Sequence, residues 1–106
     1  MTYAVTLLPE AAASLLAAQD WLLATEQQAA WSKIEATYDE LVGQLTIMPE
    51  RYPRLRVDGR VTEFRSAPML WYKLIYRVYG DRSEVALEYV AHERQDMQAV
   101  LRKLTP

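Results

Sequence analysis

The sequence predicts an α+β fold. It reads as a single small domain over residues 1–106, in the order strand-helix-helix-strand-strand-strand-helix, with a helical hairpin packed on a mainly antiparallel twisted sheet. Three observations carry this reading. A short run of alternating polarity opens the chain and stops at Pro9. Two stretches of helical spacing follow with almost no link between them. Then comes a dense aromatic and β-branched run, a turn and a returning run. The length of 106 residues suits one domain.

Residues 2–8 alternate, with Tyr3, Val5 and Leu7 to one side and Thr2, Ala4 and Thr6 to the other, the period of a strand. Pro9 suits the first turn of a helix, and Glu10 is favoured there by the helix dipole. Ala12, Leu15, Leu16, Gln19, Leu22 and Leu23 keep helical spacing to about Ala24. Thr25-Glu26-Gln27-Gln28 matches a capping box, and Ala30, Ile34, Tyr38, Leu41, Leu45 and Met48 then fall on one face until Pro49 ends the helix. A link of one or two residues forces the two helices into an antiparallel hairpin. On those faces Trp21 and Trp31 read as half-buried helix residues.

Residues 49–60, with two prolines, one glycine and four arginines, read as a loop. A strand over 61–65, a break at 66–69 around Pro68, and the strongest strand at 70–79 follow. Gly80-Asp81-Arg82-Ser83 reads as a turn, 84–92 as the returning strand and 94–104 as a short helix stepped by Met97, Val100, Leu101 and Leu104.

Composition narrows the chemistry. With no cysteine, disulfides, thiol catalysis and thiolate zinc sites are excluded, and one histidine excludes a His-rich metal site, so neither metal nor cofactor is expected. The longest charge-free stretches are 11–19 and 41–49, too short for a membrane span, which needs about 20 residues. The start lacks a basic segment of the secretory kind, so a cytoplasmic protein is expected. Charge is uneven: residues 1–50 net −6, residues 51–106 net +4, and the whole −2. Nine of the twelve basic residues are arginine, a rigid donor fork for carboxylate or phosphate. A pI near 5.4 argues against a protein that coats nucleic acid, but leaves room for a local basic surface in the second half.

With residues 80–83 as the turn, Tyr79 faces Glu84 and paired numbers sum to a constant along the last hairpin. Tyr72, Leu74, Tyr76 and Val78 then share an apolar face with Ala91, Tyr89, Leu87 and Val85, the natural floor for the helices. The other face carries Trp71, Lys73, Ile75 and Arg77 beside His92, Val90, Glu88 and Ala86, and Arg65 is placed to join it. That face gathers cations, a carboxylate, an indole and an imidazole that titrates near neutral pH. Two uses are open: a site for phosphate or a polar partner, with His92 exchanging a proton, or a solvated face on which Glu88 pairs with Lys73 and Arg77 at ~0.2–1 kcal/mol per pair. His92 at a strand end is equally suited to capping the last helix. Trp71 is the better candidate for partner contact. No glycine-rich phosphate loop, nucleophile elbow or acidic metal cluster accompanies these residues.

Four segments, in order, carry a resemblance. They are Tyr3-Ala4-Val5-Thr6-Leu7-Leu8-Pro9-Glu10-Ala11; Met48-Pro49 with Tyr52-Pro53; Trp71-Tyr72-Lys73-Leu74-Ile75-Tyr76-Arg77-Val78; and Val90-Ala91-His92-Glu93-Arg94-Gln95-Asp96. Together they resemble the RelE/ParE superfamily of type II toxin–antitoxin toxins over nearly the whole chain. Each motif is short, and the specificity lies in their order and spacing. The helical hairpin of about 40 residues looks nearer the ParE branch. That branch implies a bacterial plasmid-stabilisation toxin that inhibits DNA gyrase, arrests growth and is neutralised by a cognate antitoxin.

The RelE branch implies instead an mRNA endoribonuclease acting on the ribosome. Lys73, Arg77, His92 and Arg94 would then take the phosphate-binding and acid–base roles. Lys73 stands where that branch has an arginine, and only Arg60 and Arg65 stand where it has a lysine cluster. A third reading is an inactive homologue that persists as an interaction module. For target or partner contact the candidates are Arg60, Arg65, Trp71, Lys73, Arg77, Glu88, His92 and Arg94. The resemblance also implies assembly as a homodimer or as a heterotetramer with the antitoxin.

Overall fold

The computed structural model describes residues 2–105. Along the chain run β1 (Ala4–Leu7), α1 (Pro9–Ala24), α2 (Gln28–Ile47), β2 (Arg54–Val57), β3 (Arg60–Met69), β4 (Tyr72–Tyr79), β5 (Glu84–His92) and α3 (Met97–Leu104). The strands form one mixed sheet in the order β1-β5-β4-β3-β2, parallel between β1 and β5 and antiparallel elsewhere. The expected α+β architecture stands, with β2 as an additional edge strand.

Pro9 opens α1 after an extended Leu8, which has no side-chain cap to offer. The inward stripe of α1 is Ala11, Ala18 and Leu22, with Ser14 and Leu15 half-buried beside it. Leu16 and Leu23, expected inward, are exposed. The stripe is set by the alanines, whose small side chains let the helix backbone approach β5. Ser14 Oγ accepts the Val90 N–H at 2.8 Å there. In α2, Trp31, Ile34, Leu41 and Leu45 are buried, each contributing about 1.5–3 kcal/mol of transfer free energy, while Met48 is exposed.

The expected capping box does not form. Thr25 closes α1 instead, its hydroxyl donating to the Trp21 carbonyl at 2.8 Å, and α2 begins after Gln27 without a side-chain cap. Three residues, 25–27, link the helices, and Glu26 takes a left-handed φ of 59° to reverse the chain.

The loop expected at 49–60 contains β2. Asp58 and Gly59, with φ of 53° and 75°, make a two-residue connection between Val57 and Arg60. Positive φ at both turn residues is the type I′ geometry that Asp-Gly favours, because it matches the strand twist. The break expected at 66–69 is absent. β3 runs through Pro68 because β2 pairs no further than Arg65, so beyond that point β3 has a free edge that tolerates a residue without an N–H. β4 starts at Tyr72, later than expected, since Leu70 and Trp71 form the β3–β4 turn with Leu70 at φ 58°.

The constant-sum register holds only for the first half of the last hairpin. Tyr79 pairs Glu84, Val78 Val85, Arg77 Ala86 and Tyr76 Leu87, as expected. From there Ile75 pairs Tyr89, Leu74 Val90, Lys73 Ala91 and Tyr72 His92, so Glu88 is an extra, bulged residue. The bulge exchanges the faces of everything after it in β5. Val90 joins Tyr72, Leu74, Tyr76, Val85 and Leu87 under the helical hairpin. Ala91 joins Phe64 and Ile75 on the opposite face, with Tyr89 packed beside them.

That opposite face is not solvated. Val100 and Leu101 of α3 cover it, with Met97 and Leu104 packed alongside, so the sheet is apolar on both sides. Asp96 caps α3 by accepting from the Gln98 N–H at 3.1 Å, and Arg102 and Lys103 suit its C-terminal end.

Tyr76 lies at the centre of the hairpin-side core and donates its hydroxyl to the Pro49 carbonyl at 2.9 Å. Burial pushes its pKa from 10.0 to about 12, against the lowering effect of Arg65 nearby. A raised pKa means that the fold binds neutral tyrosine best. The stabilisation is therefore whole below pH 10 and is lost as pH climbs from about 10 to 12. Tyr76→Phe is expected to cost about 1–3 kcal/mol at pH 7, because the buried Pro49 carbonyl loses its donor. It should also flatten the alkaline fall in stability. Urea unfolding at pH 7 and pH 11 measures both, and an unchanged alkaline slope in the variant would refute the assignment.

Candidate functional site

The bulge decides which candidate residues meet. On the α3 side of β4 lie Lys73, Ile75 and Arg77. On the hairpin side lie Tyr72 and its cross-strand partner His92. The sequence expectation of one face carrying Lys73, Arg77 and His92 is therefore corrected: the imidazole points away from both cations.

Arg77 is committed to the fold. Its Nε donates to Glu88 Oε2 at 3.0 Å, and its guanidinium lies 4.8 Å over the Phe64 ring and 5.5 Å from that of Tyr79. Burial by itself would lower its pKa, but the hydrogen bond and charge of Glu88 outweigh that, and the net shift is upward. Glu88 is 5% exposed and is the buried acid of the core. Exposed Glu63 adds a weaker contact at 3.5 Å.

Arg65, expected on the face of Lys73 and Arg77, instead pairs with Tyr76 on the hairpin side, and it is likewise occupied. Its side chain is 14% exposed, and its guanidinium donates to the Tyr52 carbonyl at 2.7 Å, holding the 49–53 segment onto the sheet beside Tyr76. Lys73 is half-buried, and no ion pair involves it among the described residues. Arg60 sits at the exposed β2–β3 turn, on the rim of a groove between that hairpin and α3, where Gln98 Nε2 donates to Asp58 Oδ2 at 2.8 Å.

His92 and Arg94 meet Trp71 at the other end of the molecule. The Arg94 N–H donates to His92 Nδ1 at 3.1 Å, and the His92 ring stands edge-on to Tyr72 at 5.1 Å and 86°. With Nδ1 accepting, the neutral ring carries its proton on Nε2 and offers a donor there. His92 thus braces the β5–α3 turn, while Asp96 is the helix cap. The Glu93 N–H donates to the Trp71 carbonyl at 2.8 Å, joining that turn to the β3–β4 turn.

Trp21 from the C-terminal part of α1 completes a recess of about 270 Å³ with Trp71, Tyr72, His92, Glu93 and Arg94. Trp21 was expected half-buried and is 62% exposed, whereas Trp31 is buried in the core. The signal was present in the sequence: the stripe through Ala11, Ala18 and Leu22 leaves Trp21 at its margin. Glu93, a neighbour of two candidates, carried no pattern of its own. No group of three or more His, Cys, Asp or Glu side chains among the described residues is arranged to hold a metal ion.

No protein-family model and no curated protein sequence matches this chain. Solved structures do. A chain of the toxin–antitoxin complex RelBE2 from Mycobacterium tuberculosis is similar at a TM-score of 0.61 and 24% identity, over 87% of this chain and 99% of that one. A chain of the chromosomal ParDE TA system from P. aeruginosa is similar at 0.65 and 17% identity, over 86% and 96%. At these identities the likeness establishes the fold.

Proposed function

We propose that this chain is the toxin of a type II toxin–antitoxin pair, of the ParE kind, acting by binding DNA gyrase and held in check by a cognate antitoxin. The shared fold with chains of two toxin–antitoxin systems supports the toxin reading, and so do the ordered sequence motifs. The observation that favours a binding mode over RNA cleavage is the bulge at Glu88. It puts His92 on the far side of the sheet from Lys73, and Arg77 is spent on Glu88. General acid–base cleavage needs a proton-transfer group within hydrogen-bond reach of the atom whose phosphate the cations hold, and this arrangement parts His92 from Lys73 and Arg77, leaving Arg94 as the one candidate cation beside it. No helix among the described residues is long and apolar enough to cross a membrane.

Controlled expression in a bacterial host tests the proposal. Growth arrest with a DNA-damage response and intact mRNA is the expected result, and His92→Ala and Lys73→Ala are expected to retain it. Arrest with rapid mRNA loss, falling ~10²-fold or more in either variant, would replace the gyrase reading with a ribosome-dependent endoribonuclease. No arrest would point to a homologue that serves only as an interaction module.

A further inference from the structure

The groove between the β2–β3 hairpin and α3 has a volume of about 570 Å³ and takes no part in the toxin reading. We infer that it binds a small organic acid, with the carboxylate between the Arg60 and Arg102 guanidiniums and an apolar tail laid on Val57, Phe64 and Leu101.

The groove exists because α3 is too short for the face it covers. Its eight residues span about 12 Å, whereas the ten of β3 span about 33 Å. α3 closes over Ile75 and Ala91, and toward the hairpin tip the sheet stays open beside Leu101. The floor there continues the core between sheet and helix. Phe64 and Leu101 are 3% and 8% exposed, and Val57 packs half-buried against them. A tail laid on this floor takes its own apolar surface, and what the floor still shows, out of water. The volume lies inside the ~300–1,000 Å³ of small-molecule sites.

The rim selects the charge. Four charged side chains line the groove, and its two acids are engaged. Asp58 Oδ2 accepts from Gln98 Nε2 at 2.8 Å, and Glu63 Oε2 lies 3.5 Å from Arg77 Nη1. The two cations are not engaged. Arg60 and Arg102 are exposed, and neither guanidinium has an ion pair or hydrogen-bond partner among the described residues. Two planar forks on one opening suit the two oxygens of a carboxylate. A single negative charge fits better than a double one, because Asp58 and Glu63 share the rim and repel the second charge of a phosphate monoester. A nucleotide base finds no platform. Phe64 is the one ring among the described lining residues, and it is buried with Arg77 lying 4.8 Å over it.

Titration of the full-length chain with hexanoate, octanoate and decanoate, followed by amide NMR, tests the inference. The amides of Arg60, Thr62, Gln98 and Leu101 are expected to shift, and that of Trp31 in the other core to stay. Affinity should rise about fourfold per added methylene until the groove is full. Octanol, which lacks the charge, should bind about tenfold or more weaker than octanoate. Arg60→Ala and Arg102→Ala should each weaken octanoate about tenfold, and Arg51→Ala, outside the groove, should not. All three arginines are exposed, so the variants should fold, and their melting checks this. Several outcomes overturn the inference: no shift with any of the three acids, shifts confined to another surface, or octanol equal to octanoate. Undiminished binding in both groove variants does the same, as does displacement of octanoate by inorganic phosphate or GMP at lower concentration. The titration uses purified protein and is independent of growth arrest, so this inference and the toxin reading stand or fall separately.

Discussion

Val90→Asp is expected to unfold this protein or to lower its Tm by more than about 15 °C. Val90 is 3% exposed, packed with Tyr72, Leu74 and Tyr76 beneath α1, and its N–H is already given to Ser14 Oγ. An aspartate there loses the apolar contacts and places a charge where no cation faces it. The cost is about 3–5 kcal/mol or more, a large share of the ~5–15 kcal/mol that holds a small domain together. Each kcal/mol moves Tm by about 4–8 °C at this size. Val61→Asp is the control, since Val61 is exposed at a hairpin and should change stability by less than about 0.5 kcal/mol. The outcome is informative because it reads directly whether Val90 is packed against α1 and β4. A Val90→Asp variant that melts within a few degrees of the parent would therefore refute the packing of Val90 beneath α1.

The bulge at Glu88 marks the limit of what the sequence shows. Elements defined by strong local signals were legible: the Pro9 start of α1, the Pro49 end of α2, the Gly80–Ser83 turn and the last helix. Elements that depend on pairing were not. β2 hides among arginines because Arg54 and Arg56 alternate with Leu55 and Val57 in a strand of four residues, too short for its period to stand out. The Asp58-Gly59 pair that announces this hairpin was the overlooked signal. Pro68 suggested a break because a proline interrupts a strand only where its N–H is needed, and whether it is needed depends on how far the neighbouring strand extends.

Glu88 could not have been read as bulged from spacing, since both registers bury an apolar set along β4. What selects the observed one is the second apolar face, which α3 needs and which Tyr89 and Ala91 supply. The site inherits this. His92, Arg94 and Trp71 were legible as residues worth watching, but their grouping with Trp21, apart from Lys73 and Arg77, follows from long-range register and from the alanine stripe of α1.

Arg77→Ala is expected to cost about 3.5–5 kcal/mol, the second large effect, and it separates a structural from a functional arginine. The substitution leaves Glu88, 5% exposed, without the donor that satisfies it at 3.0 Å. Breaking a buried pair by removing one partner is worth about 3–5 kcal/mol; the 23% exposure of the Arg77 side chain places this case toward the lower half, because water reaches the guanidinium end. Loss of the guanidinium from the Phe64 ring adds about 0.5–1 kcal/mol. Glu63, on the exposed side, cannot compensate. The double variant Arg77→Met/Glu88→Leu removes both charges and keeps the volume, so it should lie within about 1.5 kcal/mol of the parent, far from the sum of the single effects. Denaturant unfolding of the parent, both single variants and the double variant measures the coupling, which should be about 2 kcal/mol or more. If the pair is a scaffold element, the double variant also keeps growth arrest while Arg77→Ala loses it only through reduced folded protein. A coupling near zero, with a stable Arg77→Ala protein that no longer arrests growth, would instead make Arg77 a contact to the target and return the α3-side face to the functional surface.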